Sequence, residues 1–302
     1  MKIVTSGSSY IDIDAYASCI AYSQLLNLKG IKAAAVCTPT LNESITSTLR
    51  ALTPQLSTTY IPSPDDTFII LDVHNPDYLD EIVDISRIEA IIDHHTGFEE
   101  YWKDYPSVNV RIEHIGSICT IIFEFFEKEG WTDKISKETA QLLIAGILDN
   151  TLNFQAKITT DRDKRAFEKL SSIAEISNEW VENYFQECQK SIEANIRNAL
   201  TNDTKILTFP STGTIAIAQL TLWSGQDLIR EYKSAIIEQL SSTSGSWVLN
   251  VLSIQDGKSY FLVSDEELQR SLKESLEIAF DGLVGSTNRM WLRKEIIAKL
   301  LI

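Results

Sequence analysis

The run Asp93-His94-His95 is the strongest candidate for chemistry in this sequence. The chain contains only four histidines, and two of them are adjacent in this run. The stretch at 89–92, which is apolar after Glu89, precedes it, and a short apolar stretch with polar ends is typical of a buried strand. In open α/β sheets, ligands bind beyond the carboxyl ends of the strands. We therefore expect a ligand site at these three residues, in preference to a chance polar strand end.

Asp12 and Asp14 stand two residues apart in a loop between a predicted strand at 2–6 and a predicted helix at 15–28. Residues i and i+2 of an extended segment point to the same side. Two carboxylates on one side repel each other unless a cation lies between them. The alternative is that Asp14 caps the helix while Asp12 is solvated. That alternative would be preferred if no other acids ended neighbouring elements.

Two more acids do end neighbouring elements. Asp72 follows an apolar run at 67–71, and Asp149 follows a predicted helix at 137–148. Carboxylates together with imidazoles suit a divalent ion such as Mn²⁺, Mg²⁺ or Co²⁺. There is no Cys-x-x-Cys pair, which argues against structural zinc.

The acids suffice for two divalent cations, and a carboxylate such as Asp72 could bridge them at about 3.5–4 Å. A hydroxide held between two such ions is a nucleophile at neutral pH, suited to in-line attack on phosphorus.

The composition of the chain limits the kinds of molecule that we expect it to bind. The chain has 302 residues and a formal net charge of −15, which argues against binding duplex nucleic acid or an anionic membrane surface. A small anionic substrate stays compatible, because metal ions or a local basic patch can reverse the field in a cleft. No apolar run approaches the ~20 residues that span a bilayer. The residues at 1–5 predict a strand rather than a secretion signal, and the four cysteines are typical of buried thiols. We expect a cytoplasmic protein.

The order of elements predicts an α/β fold. Strands alternate with helices through residue 151, including helices at 41–52 and 78–85, and this pattern favours a parallel sheet with helices on both faces. A long helix is predicted at 178–200. Strands dominate beyond 203, with an Asp256-Gly257 turn that favours a hairpin. We predict a metal-binding domain at 1–187, a helical linker at 188–203 and a smaller mixed α/β domain at 204–302, with the active site in the cleft between the domains.

The acidic segments resemble the motifs of the DHH phosphoesterase superfamily. The similar segments are Asp12-Ile13-Asp14-Ala15, Asp72, Asp93-His94-His95 and Asp149-Asn150-Thr151. The segments at 151–163, 203–205 and 291–297 are similar to the manganese-dependent (family II) inorganic pyrophosphatases. A Gly-Gly-Gly-His element, found in the exonuclease branch, is absent from the sequence. The resemblance therefore selects the branch of pyrophosphatases, exopolyphosphatases and prune-like proteins.

This resemblance implies a role for each residue. Asp12 would hold the first metal, and Asp14, His94 and Asp149 the second, with Asp72 bridging the two. His95 would face the substrate phosphate, and Asp93 would orient the histidines. Cations of the second domain would neutralise the phosphates, and these are Lys205, Arg293 and Lys294.

Four positions depart from the motifs. Ser8 stands where the pyrophosphatases have a histidine. An alignment to the fourth motif without gaps would place Asn150, rather than Asp149, at the position of the metal-binding carboxylate. In the basic motif, Leu292 falls at the usual arginine position. His74 follows Asp72 by two residues where one is expected, so it is either a displaced substitute or a surface histidine.

The sequence thus predicts a phosphohydrolase that cleaves phosphoanhydride bonds in pyrophosphate or short polyphosphate by a metal-bridged hydroxide, with two divalent cations, Mn²⁺ before Mg²⁺ or Co²⁺. One alternative is a catalytically weakened relative that binds polyphosphate, a nucleotide or a protein partner. Another, a small-nucleotide phosphodiesterase, is disfavoured by the acidic charge. An edge strand of the first domain could pair in a homodimer.

Overall fold

The computed structural model describes residues 1–52, 55–209 and 213–300. The chain divides into two compact units, Met1–Asn178 and Glu179–Ile302. Residues 188–203 lie inside the second unit by this division. The functional domain boundaries at 187 and 204 stay a prediction. Among the described residues, no helix has the length and apolar character needed to cross a membrane.

A six-stranded parallel sheet forms the centre of the first unit. The strands are β1 Lys2–Thr5, β2 Ala33–Val36, β3 Leu56–Ser57, β4 Thr67–Leu71, β5 Ile88–Asp93 and β6 Asn109–Ile112. Their order is β3-β2-β1-β4-β5-β6, and every neighbouring pair is parallel. In the interior strands β1 and β4 every residue after the first is buried, as expected for strands covered on both faces. The predicted parallel sheet is confirmed.

The strand order reverses at β1. From β1 the chain moves outward to β2 and β3, and it then returns to place β4 on the other side of β1. Such a reversal opens a crevice at the carboxyl ends of the two strands. Asp12 lies beyond β1, Asp72 directly follows β4, and Asp93 is the last residue of β5. The topology therefore brings these acids to one edge of the sheet.

Helices and turns cover the sheet. Helix α1 packs against β1, β2, α3 and α4. A core cluster joins Ile3, Phe68 and Ile91 of the strands to Leu79 and Trp102, which lie in or beside short 3-10 turns. The helices of this unit are α1 Ile13–Leu28, α2 Ser47–Arg50, α3 Ile118–Glu129, α4 Lys137–Asn150 and α5 Asp161–Ala174.

Two predicted helices of this unit are wrong. Within 41–52 only α2 is helical, because Asn42 accepts hydrogen bonds from the Ser44 N–H and hydroxyl and so stabilises a loop before it. The segment 78–85 is not helical, and 3-10 turns lie at Pro76–Tyr78 and Ile85–Arg87. The buried carboxylate of Asp80 accepts hydrogen bonds from the backbone and hydroxyl of Thr38, which ties this segment to the end of β2.

The second unit contains a mixed six-stranded sheet of order β11-β12-β10-β9-β8-β7. Only β8 and β9 pair in parallel, and the other neighbours are antiparallel. The predicted Asp256-Gly257 hairpin joins β9 to β10, with Gly257 at a φ of +64°. The strands are β7 Thr204–Phe209, β8 Gly213–Leu222, β9 Trp247–Ser253, β10 Lys258–Val263, β11 Ala279–Asp281 and β12 Val284–Ser286.

Five helices are seen in the described part of this unit. The predicted helix at 178–200 is interrupted at Asn195, whose side chain accepts from the Asn198 N–H and caps α7. Two core clusters bury alternate residues of the strands, one with α7 and α8 and the other with α9 and α10. The helices are α6 Asn178–Ala194, α7 Ile196–Asn202, α8 Leu228–Thr243, α9 Glu266–Leu276 and α10 Arg293–Leu300. The four cysteines are buried free thiols, as predicted.

Candidate metal centre

Four side chains meet beyond the ends of β4 and β5. Asp72, Asp93, His94 and His95 each offer one ligand atom, and these four atoms all lie within 4.8 Å of one another. We call these residues the acid-histidine cluster. Among the residues that the structure describes, this is the group of histidine, cysteine and acidic side chains that could hold a metal ion.

Asp72 occupies an unusual backbone conformation. Its φ is +62°, in the left-handed region that costs a non-glycine residue about 1 kcal/mol or more. The backbone holds it there, since the Asp72 N–H donates to the Ile92 carbonyl at 3.0 Å and extends the pairing of β4 with β5 by one residue. Such a turn at a strand end aims the carboxylate across the crevice.

The Asp72 carboxylate is prepared for a cation. Its Oδ1 lies 3.3 Å from Nε2 of His94 and 3.8 Å from Nδ1 of His95, and within the described part of the chain no group donates a well-formed hydrogen bond to it. Burial, and then the negative charges of Asp12 and Asp14, raise the pKa of Asp72 well above its usual range. A bound cation would favour the ionised carboxylate and offset both effects.

His94 presents the nitrogen that a metal would use. Its Nδ1 lies 3.0 Å from the Ile115 carbonyl, which can only accept, so the proton is on Nδ1. Nε2 then carries the lone pair and faces Oδ1 of Asp72. A histidine ligand commonly has its other ring nitrogen fixed by a carbonyl in this way. The donor set of Asp72 and His94 therefore fits a divalent ion.

Asp93 organises the two histidines. It is fully buried, and its Oδ1 accepts from the backbone N–H of His94 at 2.6 Å, from the backbone N–H of His95 at 3.1 Å and from Nδ1 of His95 at 2.8 Å. Burial acts to raise the pKa of Asp93, but the His95 imidazole and the hydrogen bonds from histidines outweigh it and hold this pKa well below the usual range. Asp93 is thus an anion that orients its neighbours.

His95 is the member of the cluster that solvent reaches most. Its side chain is 39% exposed, whereas the side chain of His94 is buried. The two imidazole rings lie edge to face, with centroids 4.7 Å apart. The position of His95 therefore allows contact with a ligand that enters from solvent.

Asp12 and Asp14 differ from the capping alternative, in which Asp14 caps the helix. Asp12, not Asp14, caps α1, because its carboxylate accepts from the Ala15 N–H at 3.0 Å. The carboxylate of Asp14 is fully buried at the start of α3, where it accepts from the Ser117 hydroxyl at 2.6 Å and from the N–H groups of Ile118 and Cys119 at 3.0 Å each. Burial raises the pKa of Asp14, partly opposed by His94. Neither acid belongs to the acid-histidine cluster, although both act on the pKa of Asp72.

Asp149 and Asn150 end α4, and neither belongs to the acid-histidine cluster among the described residues. One turn earlier, Gly146 allows α4 to approach Asp14: a Cβ at this glycine would lie 2.5 Å from Sγ of Cys119 and 3.2 Å from Oδ1 of Asp14. Positions i+3 and i+4 of a helix share a face with position i. Both Asp149 and Asn150 therefore lie on the face of α4 that approaches Asp14.

The chain turns sharply after α4. Three consecutive non-glycine residues, Leu152, Asn153 and Phe154, have φ values of +51°, +52° and +64°. The Asn153 N–H donates to the Leu148 carbonyl, and the Phe154 N–H donates to the Thr151 hydroxyl, so local bonds hold this left-handed turn. Left-handed backbone at such residues persists only where the surroundings impose it, and it often accompanies functional sites.

The predicted cations of the substrate site lie in the second unit. Lys205 is the second residue of β7, and Lys294 is half-buried in the first turn of α10. Arg293 is 8% exposed, and its guanidinium contacts the Asp203 carboxylate at 2.7 Å and the Asp203 carbonyl at 2.8 Å. This ion pair joins the segment before β7 to the start of α10.

The structure also shows the surroundings of Ser8 and His74, two of the positions that depart from the motifs. Ser8 is half-buried and its N–H donates to the Tyr78 carbonyl at 2.8 Å. His74 is buried, so the surface alternative for this histidine is wrong. Its Nδ1 forms a hydrogen bond with Oδ2 of Asp93. Sequence reasoning left His74 unassigned because Val73 displaces it by one position from the motif.

Comparison with known proteins agrees with this geometry. Residues 2–147 match the DHH family, N-terminal domain. A protein of Listeria monocytogenes serotype 4a (strain HCC23), named a probable manganese-dependent inorganic pyrophosphatase, is 27% identical over 195 residues. This match covers 63% of the chain and only 60% of the relative's length. A Clostridium acetobutylicum protein of the same name is 31% identical over 180 residues, which cover 59% of the chain and 56% of the relative.

Solved structures show the same fold. A Methanococcus jannaschii protein assigned to the family II inorganic pyrophosphatases has a TM-score of 0.76 at 21% identity, with 100% of the chain and 98% of that protein covered. An exopolyphosphatase-related protein from Bacteroides fragilis has a TM-score of 0.53 at 14% identity, with 99% and 89% covered. Both structural similarities establish the α/β fold of the chain and nothing beyond the fold.

Proposed function

Because residues 2–147 match the DHH family, N-terminal domain, we propose that this protein is a metal-dependent phosphohydrolase that cleaves phosphoanhydride bonds in pyrophosphate or short polyphosphate. The acid-histidine cluster carries the proposal, since it places carboxylate and imidazole ligands together at the carboxyl ends of parallel strands. Relatives named as manganese-dependent pyrophosphatases support the substrate class and the metal.

Two divalent ions, Mn²⁺ before Mg²⁺ or Co²⁺, would be held by the carboxylates and by His94. We assign Asp12 to the first ion and Asp14, His94 and Asp149 to the second, with Asp72 shared between them. Bound there, the ions would polarise a phosphoryl oxygen and lower the pKa of an attacking water. Asp14 keeps an acceptor position for this role, because its Oδ2 accepts one N–H, from Ile118, while its Oδ1 accepts two donors.

The remaining groups would bind and orient the substrate. The His95 side chain is the more accessible of the pair that it forms with Asp72 and would contact a phosphoryl oxygen, while Asp93 fixes its ring through Nδ1. Lys205, Arg293 and Lys294 would neutralise phosphate charge, as the resemblance implies. Asp203 would orient the Arg293 guanidinium, because the two side chains form an ion pair. Charge-assisted contacts from the three cations would hold the phosphates in the geometry that in-line attack requires.

A phosphate-release assay tests the proposal. The purified chain is incubated with pyrophosphate, tripolyphosphate or a nucleoside triphosphate, with Mn²⁺, Co²⁺ or Mg²⁺, and with a chelator as the blank. We expect release from at least one of these substrates and loss of release in Asp72→Asn, since the shared carboxylate is removed. Asp84→Asn, an exposed acid of the same unit, is the matched control and should retain activity. Absence of release with all three metals would refute the proposal.

A second candidate function is binding without turnover. Ser8 favours this function because it stands where the motifs have a histidine. Asn150 favours it because, in an alignment without gaps, it stands where the motifs have the metal-binding carboxylate. Calorimetry with metal and tripolyphosphate distinguishes the two functions. A stoichiometric complex from which tripolyphosphate is recovered intact would support the binder, whereas heat that continues as phosphate accumulates would support the hydrolase.

A further inference from the structure

His74 is a buried histidine that the site assignments above do not use. It is 2% exposed and lies two residues beyond Asp72. Three groups surround it: its Nδ1 meets Oδ2 of Asp93, its Nε2 meets the backbone N–H of Phe98 at 3.2 Å, and its carbonyl accepts from Nε1 of Trp102 at 2.6 Å. A buried polar side chain with partners at both ring nitrogens has one defined orientation.

The partners of His74 fix its proton. A backbone N–H can only donate, so the Phe98 N–H requires a lone pair on Nε2 of His74. The proton of the neutral ring then lies on Nδ1, and it is donated to Oδ2 of Asp93. The geometry therefore fixes the direction of both hydrogen bonds. The Phe98 N–H donates to His74, and His74 donates to Asp93.

The two carboxylate oxygens of Asp93 accept hydrogen bonds from different groups. Oδ1 accepts from the backbone of His94 and from the backbone and Nδ1 of His95, as described above. Oδ2 receives His74, and among the described residues no other donor to Oδ2 is seen. Removing His74 would leave a buried carboxylate oxygen without its donor, and the carboxylate could rotate to share the donors at Oδ1.

We propose that His74 is a positioning residue, which acts through Asp93 to hold the His95 imidazole in one orientation with its proton on Nδ1. The catalytic consequence rests on the proposed function, but the orientation of His95 is a property of the protein without metal or substrate. This assigns to the displaced histidine a role that the sequence motif, shifted by Val73, does not show.

The first test uses the unmodified protein. Histidine side-chain ¹⁵N NMR of the metal-free chain at neutral pH distinguishes ring nitrogens that carry a proton from those that do not. We expect His74 to carry a proton on Nδ1 and none on Nε2, because Nε2 accepts from the Phe98 N–H, and His95 to keep its proton on Nδ1 without exchange between tautomers. A proton on Nε2 of His74 would overturn the proposal. This measurement needs no variant and no hydrolysis, so failure of the proposed function would leave it unaffected.

Three variants distinguish two possible roles of His74. It could position His95 through Asp93, or it could stabilise the loop after His95 through its contact with the Phe98 N–H. In His74→Asn the amide can occupy the place of Nδ1 and donate to Asp93, whereas in His74→Gln it lies near Nε2 and retains only the contact with the Phe98 N–H. His74→Phe removes both. We expect His74→Asn to keep the His95 spectrum, and the other two to show tautomer exchange. His114→Asn, an exposed histidine of the same unit, is the control.

Metal affinity gives an independent readout. Partners that orient ligands of a metal site typically change metal affinity or activity by about 10–100-fold when they are replaced. We expect Mn²⁺ affinity, measured by calorimetry, to fall in this range for His74→Gln and His74→Phe and to stay within a few-fold of wild type for His74→Asn and His114→Asn. The reverse order, with His74→Gln like wild type and His74→Asn impaired, would show that His74 braces the Phe98 loop, and would overturn the proposal.

Discussion

At the scale of single residues, the sequence selected Asp72, Asp93, His94 and His95, and the structure brings these four together. They could be found because acids and histidines rarely follow buried apolar runs unless a ligand offsets the cost of burying them. His74 could not be assigned in the same way. Its position depends on the left-handed turn at Asp72, and that turn comes from pairing with β5, which no local pattern reveals.

Asp72 should lower the stability of the metal-free protein at neutral pH. Its pKa is raised in the folded state, first by burial, so the folded protein binds this proton more tightly than the unfolded chain. The free energy of unfolding therefore falls as the pH rises above the unfolded pKa of about 3.9, and it stops falling above the folded pKa. Asp72→Asn removes the effect, and asparagine tolerates the left-handed backbone. We expect this metal-free variant to be more stable at pH 7 by about 0.5–2 kcal/mol.

Thermal unfolding in a chelator across a pH series measures this difference. The gap between Asp72→Asn and wild type should open as the pH rises from about 4, where both chains carry a neutral side chain. Asp84→Asn should behave in the opposite way, because hydrogen bonds from Ser86 lower the pKa of Asp84 and its stabilising effect is present at higher pH. A metal-free Asp72→Asn less stable than wild type at pH 7 would contradict the assignment of Asp72 as a strained, buried ligand.

At the scale of elements, apolar runs and turn residues were enough to predict five strands of the first sheet and their parallel arrangement, but not the two-residue strand β3. The failures at 41–52 and 78–85 have a common physical cause. In the first segment the Asn42 side chain accepts from the Ser44 N–H, and in the second the Asp80 side chain accepts from the Ile82 N–H, and these bonds replace helical ones. The close approach of α4 to Asp14 was equally hidden, since Gly146 inside a helical pattern looks only like a weak helix former.

Gly146→Ala should destabilise the protein although alanine favours helices by about 1 kcal/mol over glycine. The new Cβ would lie 2.5 Å from Sγ of Cys119 and 3.3 Å from Cα of Asp14, so we expect α4 to move away from α3 and Asp14. Overpacking of this kind costs about 1–3 kcal/mol, and the displaced end of α4 should also weaken Mn²⁺ binding. Chemical denaturation and calorimetry measure the two effects.

A double-mutant cycle identifies the contact responsible. Cys119→Ala removes the sulfur, so Gly146→Ala should cost less in the Cys119→Ala background than in wild type, and the coupling should exceed about 0.5 kcal/mol. Gly245→Ala is the matched control, because a Cβ there meets nothing within 4 Å. Additive effects of the two substitutions would mean that the close contact does not set the position of α4.

At the scale of the whole molecule, composition and motif order predicted an α/β chain with a metal-binding part followed by a smaller mixed part. The sheets of the two units agree with this. The strand order of the second unit and the break at Asn195 were not predictable, because short strands such as β11 and β12 and a single capping residue depend on tertiary contacts. The ion pair of Arg293 with Asp203 joins two motif segments that are ninety residues apart in the sequence.

Hydrogen exchange separates the contributions of the two units to the proposed reaction. Mn²⁺ alone should slow exchange in peptides from Met1–Asn178, around the ends of β4 and β5, because a ligand stabilises the parts of a protein that bind it. A slowly hydrolysed pyrophosphate analogue added with Mn²⁺ should extend the protection to peptides that contain Lys205 and Lys294. In Asp72→Asn both effects should be lost, since the analogue would bind through the metal ions. Protection by the analogue that stays within the first unit would show that Lys205, Arg293 and Lys294 do not take part in substrate binding.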